Sequence, residues 1–137
     1  MGDRENVEIV QGIYSAFARG DMKLVLAPFA DSLEFQHPMP QSIWPWAGSR
    51  SGRQGFAEFF AGVSETLEYE RLEPHQFIAQ DDSVAVVLSE RTRVRATGVF
   101  FEISEVHLFR LENGKVVQLT IFEDTAPIIA ALQGYQR

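Results

Sequence analysis

The chain of 137 residues contains no cysteine. Disulfides, cysteine nucleophiles and thiolate metal sites are therefore excluded. Basic residues are also few, because 12 lysines and arginines stand against 19 aspartates and glutamates, which leaves a net charge of -7 at pH 7. A surface of this sign repels phosphate backbones and anionic lipid, so we expect neither nucleic acid nor a membrane as a partner.

Long apolar runs are missing too, and the first ten residues are charged rather than typical of a signal peptide. We therefore expect a cytoplasmic protein. No glycine-rich phosphate loop or dinucleotide motif occurs, and no histidines have the spacing typical of metal ligands. The sequence thus predicts function without a cofactor or a metal, although two histidines and a carboxylate would suit iron or zinc.

Aromatic and apolar residues are plentiful instead. Hydrophobic residues make up 45% of the chain, and 11 phenylalanines stand against three tyrosines. Because phenylalanine carries no polar atom, it either fills a core or lines an apolar cavity, and both interpretations stay open here. The length fits one domain and no linker or repeat divides the chain, so residues 1–137 are predicted to form a single domain.

Helical spacing of apolar residues marks the first half of the chain. It predicts one helix capped by Asp3 and ended by Gly20, a short second helix capped by Asp21, and a third helix beyond residue 52. Between them, alternation over residues 33–37 predicts a strand that Pro38 stops. Residues 39–52 contain prolines, glycines and two tryptophans, which predicts neither helix nor strand but an ordered lid.

Strand patterns fill the second half. Residues 68–80, 83–96, 99–111 and 115–123 are predicted strands, separated by short turns. Pro74 in the first of these strands predicts an edge position or a bulge, since proline cannot donate to a sheet ladder. Asp124 is then expected to cap a short terminal helix. Helices in the first half and a mostly antiparallel sheet in the second predict an α+β fold.

Strand alternation assigns some polar residues to the interior. On residues 99–111 the more apolar face also carries Glu105 and His107. Two registers compete in the last hairpin: a two-residue turn sets His107 opposite Thr120, whereas a three-residue turn sets it opposite Leu119. We prefer the three-residue turn because it gives one continuous apolar face. It also directs Glu123 inside, at the open end of the sheet.

The preceding hairpin brings two glutamates together. A tight turn at residues 97–98 would pair Arg93 with Glu102 on the outer face. Arg91 would lie beside them in solvent or against another subunit, although a bulge in this strand would turn it inward. The same register sets Glu90 beside Glu105, and two close carboxylates raise the pKa of at least one of them.

Apolar residues also lie on the outer face of this sheet. Phe100, Val106 and Leu108 share that face by alternation. Because so much exposed apolar surface usually binds a partner, we expect a homodimer that uses this face.

Histidine is the residue type that best suits proton transfer near neutral pH. His37 shares its strand face with Leu33 and Phe35 and therefore points inward, as His107 does. A lone inward histidine is most often a hydrogen-bonded core residue. Two inward histidines with a carboxylate indicate a functional site, because burying such groups costs free energy that functional sites tolerate.

Six segments of the chain are similar to one known family. They are residues 14–21 (YSAFARGD), 28–31 (PFAD), 52–60 (GRQGFAEFF), 107–111 (HLFRL), 114–117 (GKVV) and 122–126 (FEDTA). Their order and spacing resemble the SnoaL-like, ketosteroid-isomerase-related branch of the nuclear transport factor 2-like superfamily. The resemblance implies a cone, in which a curved, mixed and mostly antiparallel sheet wraps round the three helices of the first half. A short C-terminal helix, a deep pocket and usually a homodimer complete the implied fold.

The family's catalytic positions hold other residues in this sequence. Its general-base aspartate corresponds to His37 and its oxyanion-hole acid to His107. Its oxyanion-hole tyrosine corresponds to Ile13, with Tyr14 one residue later and therefore on a different side of the helix. The tyrosine and two aspartates of ketosteroid isomerases are thus not found in their places. The Arg-x-Asp pair of limonene-epoxide hydrolases is missing as well.

These residues predict a small-molecule pocket protein, an acid–base enzyme of the isomerase, cyclase or hydrolase type that acts on an apolar or aromatic carbonyl compound. His37 would be the base, and His107, supported by Glu105, would polarise or protonate the substrate. The alternative is a non-catalytic ligand-binding or dimerisation module, because this fold hosts both. The expected substrate contacts, including a lid at residues 44–46, are Ile13, Tyr14, Phe17, Trp44, Trp46, Phe59, Leu119, Ile121 and Glu123.

Overall fold

The computed structural model describes residues 2–136, which form an α+β domain. The helices are α1 (Asp3–Ala18), α2 (Met22–Leu26), α3 (Gly52–Thr66) and α4 (Thr125–Leu132). The strands are β1 (Phe29–His37), β2 (Gly48–Ser51), β3 (Leu67–Gln80), β4 (Ser83–Val94), β5 (Phe100–Glu112) and β6 (Lys115–Glu123). The predicted fold class and the order of helices and long strands are confirmed.

The six strands form one curved sheet in the order β2-β1-β6-β5-β4-β3. β1 and β6 are parallel, and the other neighbours are antiparallel, so the predicted mixed sheet is confirmed. β3 lies at the edge of the sheet, and its ladder shifts register near Tyr69 and again near Pro74. The edge position and the bulge inferred from Pro74 are therefore both confirmed. Buried side chains alternate along β4 and β5, so one sheet face packs against the helices.

Two of the three predicted helix caps are present. The Asp21 carboxylate accepts a hydrogen bond from the Leu24 N–H at 3.1 Å, and Asp124 accepts one from the Ala126 N–H at 3.3 Å. The prediction for Asp3 was wrong, because α1 already begins at this residue and Gly2 occupies the capping position. An aspartate in the first helical turn still favours the helix through its interaction with the helix dipole.

The segment 39–52 contains a strand that was not predicted. β2 pairs with β1 from His37 opposite Gly48 to Glu34 opposite Ser51, and the Ser51 hydroxyl donates to the Glu34 carboxylate at 2.9 Å. The sequence GSRS has no apolar alternation, so backbone pairing alone forms this edge strand. Gly48 adopts a φ of 88°, a left-handed value that glycine tolerates and that brings the chain back to β1.

The β5–β6 register differs from both predicted registers, because His107 lies opposite Ile121. Asn113 and Gly114 both have positive φ, 50° and 78°, as a two-residue turn requires. The ladder then shifts by one residue, leaving Val117 as a bulge. The predicted three-residue turn was therefore wrong, but the bulge produces the continuous apolar face that motivated it.

The β4–β5 register also differs from the predicted one. A five-residue connection, 95–99, replaces the tight turn, so Arg91 rather than Arg93 lies opposite Glu102. Glu90 lies opposite Ile103 instead of Glu105. Because the displacement is two residues, every side chain keeps its predicted face.

The outer face of the sheet carries both charged and apolar side chains. Arg91 points outward, where it pairs with Glu70 at 2.9 Å and lies 4.2 Å above the ring of Phe100. Leu108 and Phe122 are more than a third exposed on this face. The homodimer through this face stays a prediction. Among residues 2–136, no helix combines the length and apolar character needed to cross a membrane.

Candidate functional site

A cavity of about 100 Å³ lies between the helices and the inner face of the sheet. Its walls are mainly aromatic and aliphatic, contributed by α1, α3, α4 and the strands. The structure brings almost all of the predicted site residues together here. Those that line the cavity are Ile13, Tyr14, Phe17, His37, Trp44, Phe59, Glu105, His107, Leu119, Ile121 and Glu123.

His37 ends β1 and contributes one imidazole to the cavity. Its Nε2 lies 2.6 Å from an oxygen of Glu123, and both side chains are more than nine-tenths buried. The rings of Trp44 and Phe59 each lie 5.3 Å from the imidazole and 5.5 Å from each other, so the three rings form one cluster. Its other nitrogen, Nδ1, is buried and has no hydrogen-bond partner among the described residues. Glu123 therefore orients a base whose second nitrogen is not engaged.

His107 on β5 contributes the second imidazole. Its Nε2 lies 3.3 Å from Glu105, and its Nδ1 lies 2.6 Å from the hydroxyl of Tyr14. Glu105 fixes a hydrogen on Nε2, because a carboxylate can only accept. The Tyr14 contact then has two forms: the hydroxyl donates to a neutral imidazole, or a doubly protonated imidazole donates to the hydroxyl oxygen.

Three buried carboxyl groups connect the two imidazoles. Glu90, Glu105 and Glu123 come from the adjacent strands β4, β5 and β6, and their nearest oxygens lie within 4.8 Å of one another. Oxygen Oε2 of Glu105 has no partner among residues 2–136 if all three groups are ionised. A proton held by Glu90 or Glu123 supplies that partner, since a neutral carboxyl can donate. This set is also where the described residues could hold a cation.

Burial and mutual repulsion divide the protons unequally among these groups. Burial, and then the charges of Glu105 and Glu123, raise the pKa of Glu90 well above its ordinary value. Burial also raises the pKa of Glu123, although its hydrogen bond to His37 opposes the rise. Burial acts to raise the pKa of Glu105 as well. The hydrogen bond to His107 and the charge of that imidazole outweigh burial, so the pKa of Glu105 is lowered. Glu105 is therefore the ionised member of the set.

Tyr69 on β3 belongs to the site and was missed in the sequence. It lines the cavity, and burial together with the charges of Glu90, Glu105 and Glu123 raises its pKa well above the ordinary value. Burial, followed by the charge of Glu105, likewise raises the pKa of Tyr14. Both phenols thus keep their protons and can donate. Tyr69 could not be identified from the sequence because β3 has a bulge next to it, which interrupts the alternation of inward and outward side chains.

Ile13 and Tyr14 were placed on different sides of α1, although both were expected to contact the ligand, and both line the cavity. Neighbouring helical residues point about 100° apart, and the long phenol spans that difference to reach His107. Trp46 was expected to close the cavity together with Trp44, but it is not among the described lining residues. Its ring packs against Gly62 of α3 instead.

The chain was then compared with known protein families. A family model described as the SnoaL-like domain matches residues 10–119. The chain belongs to the SnoaL-like family. No curated protein matches this SnoaL-like chain at a significant level.

Solved structures share the fold of this SnoaL-like protein over its whole length. An NTF2-like protein of unknown function from Burkholderia pseudomallei K96243 is 29% identical over 96% of this chain and 98% of its own, with a TM-score of 0.87. An NTF2-like protein from Burkholderia xenovorans LB400 is 32% identical over 100% and 99%, with a TM-score of 0.80. TerC, co-crystallised with polyporic acid, is 26% identical over 94% and 98%, with a TM-score of 0.80.

The buried carboxyls should make this SnoaL-like protein less stable at high pH. The pKa of Glu90 is higher in the folded chain than in the unfolded chain, so the folded state binds more protons above the ordinary glutamate value of 4.5. The free energy of unfolding therefore falls as the pH rises from 4.5 towards the pKa that Glu90 has in the folded chain. We expect Glu90→Gln to raise the free energy of unfolding at pH 8 by about 1–2 kcal/mol, with little effect at pH 5.

Urea denaturation at both pH values measures this difference. Glu65→Gln on the exposed face of α3 removes the same charge without burial and should leave the pH dependence unchanged. Equal effects of the two variants, or a Glu90→Gln variant that is less stable at pH 8, would contradict the assignment.

Proposed function

We propose that this chain is an acid–base enzyme that acts on a small apolar or aromatic carbonyl compound. One observation carries the proposal: a cavity with apolar walls contains two imidazoles, each next to a buried carboxyl group. An imidazole held by a carboxylate is the arrangement with which many enzymes move protons. Fully apolar packing would have been less costly for stability, so the polar groups favour a chemical role.

His37 is the proposed general base. Glu123 holds its Nε2 at 2.6 Å, which leaves the lone pair of Nδ1 to take a proton from a ligand C–H group. By accepting the hydrogen bond from Nε2–H, Glu123 also fixes the tautomer in which Nδ1 carries the lone pair.

Tyr14 and His107 form the proposed electrophilic end. Their contact of 2.6 Å places the Tyr14 hydroxyl, supported by His107, where a carbonyl oxygen can accept a hydrogen bond from it. Such a donor stabilises the negative charge that develops on the oxygen when carbon loses its proton. Glu105 keeps His107 oriented.

The walls favour a flat, apolar ligand. An engineered cavity of about 150 Å³ in another protein accommodates benzene, so a volume of this order accepts one ring. Phe17, Phe59 and Phe60 provide aromatic surface on the helical side. The relative TerC was co-crystallised with the small molecule polyporic acid, which supports small-molecule binding in this chain as well.

Deuterium exchange tests the proposal without knowledge of the natural substrate. A panel of aryl ketones and aromatic 1,3-dicarbonyl compounds is incubated with the protein in heavy water, and loss of the α-proton is followed by NMR. We expect exchange of at least one compound to accelerate about 100-fold or more over buffer with the same amount of free imidazole.

The same panel separates the enzyme from the ligand-binding alternative. A compound that raises the melting temperature binds the folded protein, whether or not it reacts. A compound that binds without accelerated exchange would identify a ligand-binding protein that is not an enzyme for it. Accelerated exchange that variants of the cavity residues leave unchanged would support neither function.

A further inference from the structure

A series of polar side chains joins the two ends of the cavity. The hydroxyl of Tyr14 lies 2.6 Å from Nδ1 of His107, whose Nε2 lies 3.3 Å from Glu105. Glu105 and Glu123 are direct cross-strand partners, and their nearest carboxyl oxygens lie within 4.8 Å of each other. Glu123 in turn lies 2.6 Å from Nε2 of His37. The series therefore runs from α1 across β5 and β6 to β1.

We propose that these five side chains form a proton relay, which delivers to the ligand's oxygen the equivalent of the proton taken from its carbon. The relevant ligands are those that enolise and then return to a ketone, so the reaction class is prototropic isomerisation or a cyclisation through an enol. This reaction class rests on the proposed function. The relay itself is a property of the protein without ligand.

The first half of the cycle is balanced when His107 begins with hydrogens on both nitrogens and Glu105 is ionised. The ligand C–H gives its proton to Nδ1 of His37, and the Nε2 proton of His37 passes to Glu123. Glu123 passes its own proton to Glu105. At the other end, Tyr14 gives its proton to the ligand oxygen and takes one from Nδ1 of His107.

The second half restores the starting state. After the first half the ligand is an enol, and His107 and Glu105 are both neutral. When the enol returns to a ketone, its O–H proton goes to Tyr14 and the same transfers run in reverse. The Nδ1 proton of His37 then goes to a carbon of the ligand. No proton is gained or lost overall.

Burial supports a closed path. The exposed fractions of the Glu105, His37 and Glu123 side chains are 2%, 6% and 7%, so bulk water does not compete for protons in the middle of the relay. Only His107, at 14%, is slightly more open. Hydrogen-bonded groups in such surroundings polarise one another, which favours transfer along the series.

Two other titratable groups face the relay without lying on its path. Glu90 on β4 has a carboxyl oxygen within 4.8 Å of one of Glu105, and Tyr69 on β3 lines the same cavity. Glu90 is a positioning residue in this scheme, because its proton fixes one oxygen of Glu105 while the other remains next to His107. Replacing Glu90 with glutamine keeps a donor at that place and should leave the relay intact.

Nitrogen NMR of the full chain tests the relay directly. The sequence has three histidines, so selective ¹⁵N labelling gives three resolvable imidazoles. His75, which is exposed and contacts Ser89 at 2.7 Å, lies outside the relay and serves as the internal control.

Variants then identify the side chains through which His37 and His107 are coupled. His37→Gln should change the Nδ1 shift of His107, and in a Glu123→Gln background this response should fall to less than about a third. Glu90→Gln should preserve it. If Glu123→Gln does not fold, Glu105→Gln replaces it.

The outcomes separate the relay from the proposed function. A His107 shift that does not respond to His37→Gln, or a response that persists in the Glu123→Gln background, would overturn the relay even if deuterium exchange is catalysed. A response that disappears in that background would establish the relay even if none of the tested ketones exchanges.

Discussion

Replacing His37 with glutamine is expected to lower the rate of deuterium exchange by about 10²- to 10⁴-fold, which is the usual contribution of a general base. The reason is that Nδ1 is the basic atom of this side chain that Glu123 does not engage. Glutamine retains an amide that can still donate to Glu123, so the buried carboxyl keeps a partner. The fold should therefore survive while the base is lost.

His75→Gln is the matched control, since this histidine lies on the exposed edge strand β3 and contacts Ser89 rather than the cavity. Its exchange rate should equal that of the wild type. Circular dichroism and urea denaturation of both variants separate loss of chemistry from loss of fold. A His37→Gln variant that exchanges at the wild-type rate would remove His37 from the mechanism.

Substitution of Gly62 by alanine is expected to destabilise the protein by about 2–3 kcal/mol, the upper part of the range for overpacked sites. A Cβ at this position would lie 2.1 Å from Cγ of Trp46 and 2.3 Å from its Cδ1, far inside van der Waals contact. The indole ring would have to leave α3. Neighbouring Ala47 is fully buried, so the loop has little room to move away.

Gly12→Ala on α1 is the control, because its Cβ meets nothing within 4 Å. Alanine favours a helix over glycine by roughly 1 kcal/mol, so this variant should be slightly stabilised. In a Trp46→Leu background the cost of Gly62→Ala should shrink, because the clashing ring is gone. Equal stability of the two alanine variants would show that Trp46 does not pack on Gly62.

The long elements could be predicted because periodicity reports on the face that a residue occupies. β6 was predicted with its correct bounds, and β4 and β5 to within two residues at either end. The registers could not be predicted in the same way. A bulge at Val117 and a five-residue connection at 95–99 change which residues are opposite each other without changing any face. The alternation of apolar and polar residues specifies the face of each side chain but not its partner on the next strand, so it does not reveal such a shift.

The site was partly predictable for the same reason. His37, Glu105 and His107 lie on inward faces of strands that alternation identified, whereas Glu123 was placed inside by a turn that proved wrong and lies inside because of the bulge. The contact of Tyr14 with His107 and the contribution of Tyr69 could not be inferred this way, since they depend on how far a long side chain reaches and on a bulge in β3. Trp46 could not be placed either, because its position depends on the absence of a side chain at Gly62, distant in the sequence.

The different positions of the two tryptophans give this protein a pair of optical probes. Trp44 lines the cavity, with its indole N–H fixed to Thr66 at 3.1 Å and its ring 5.3 Å from that of His37. Indole emission is quenched by a nearby protonated imidazole and by many aromatic ligands. Trp46 lies against α3 and serves as the reference fluorophore. The emission of Trp44 relative to Trp46 thus reports, in real time, both the occupancy of the cavity and the charge of His37.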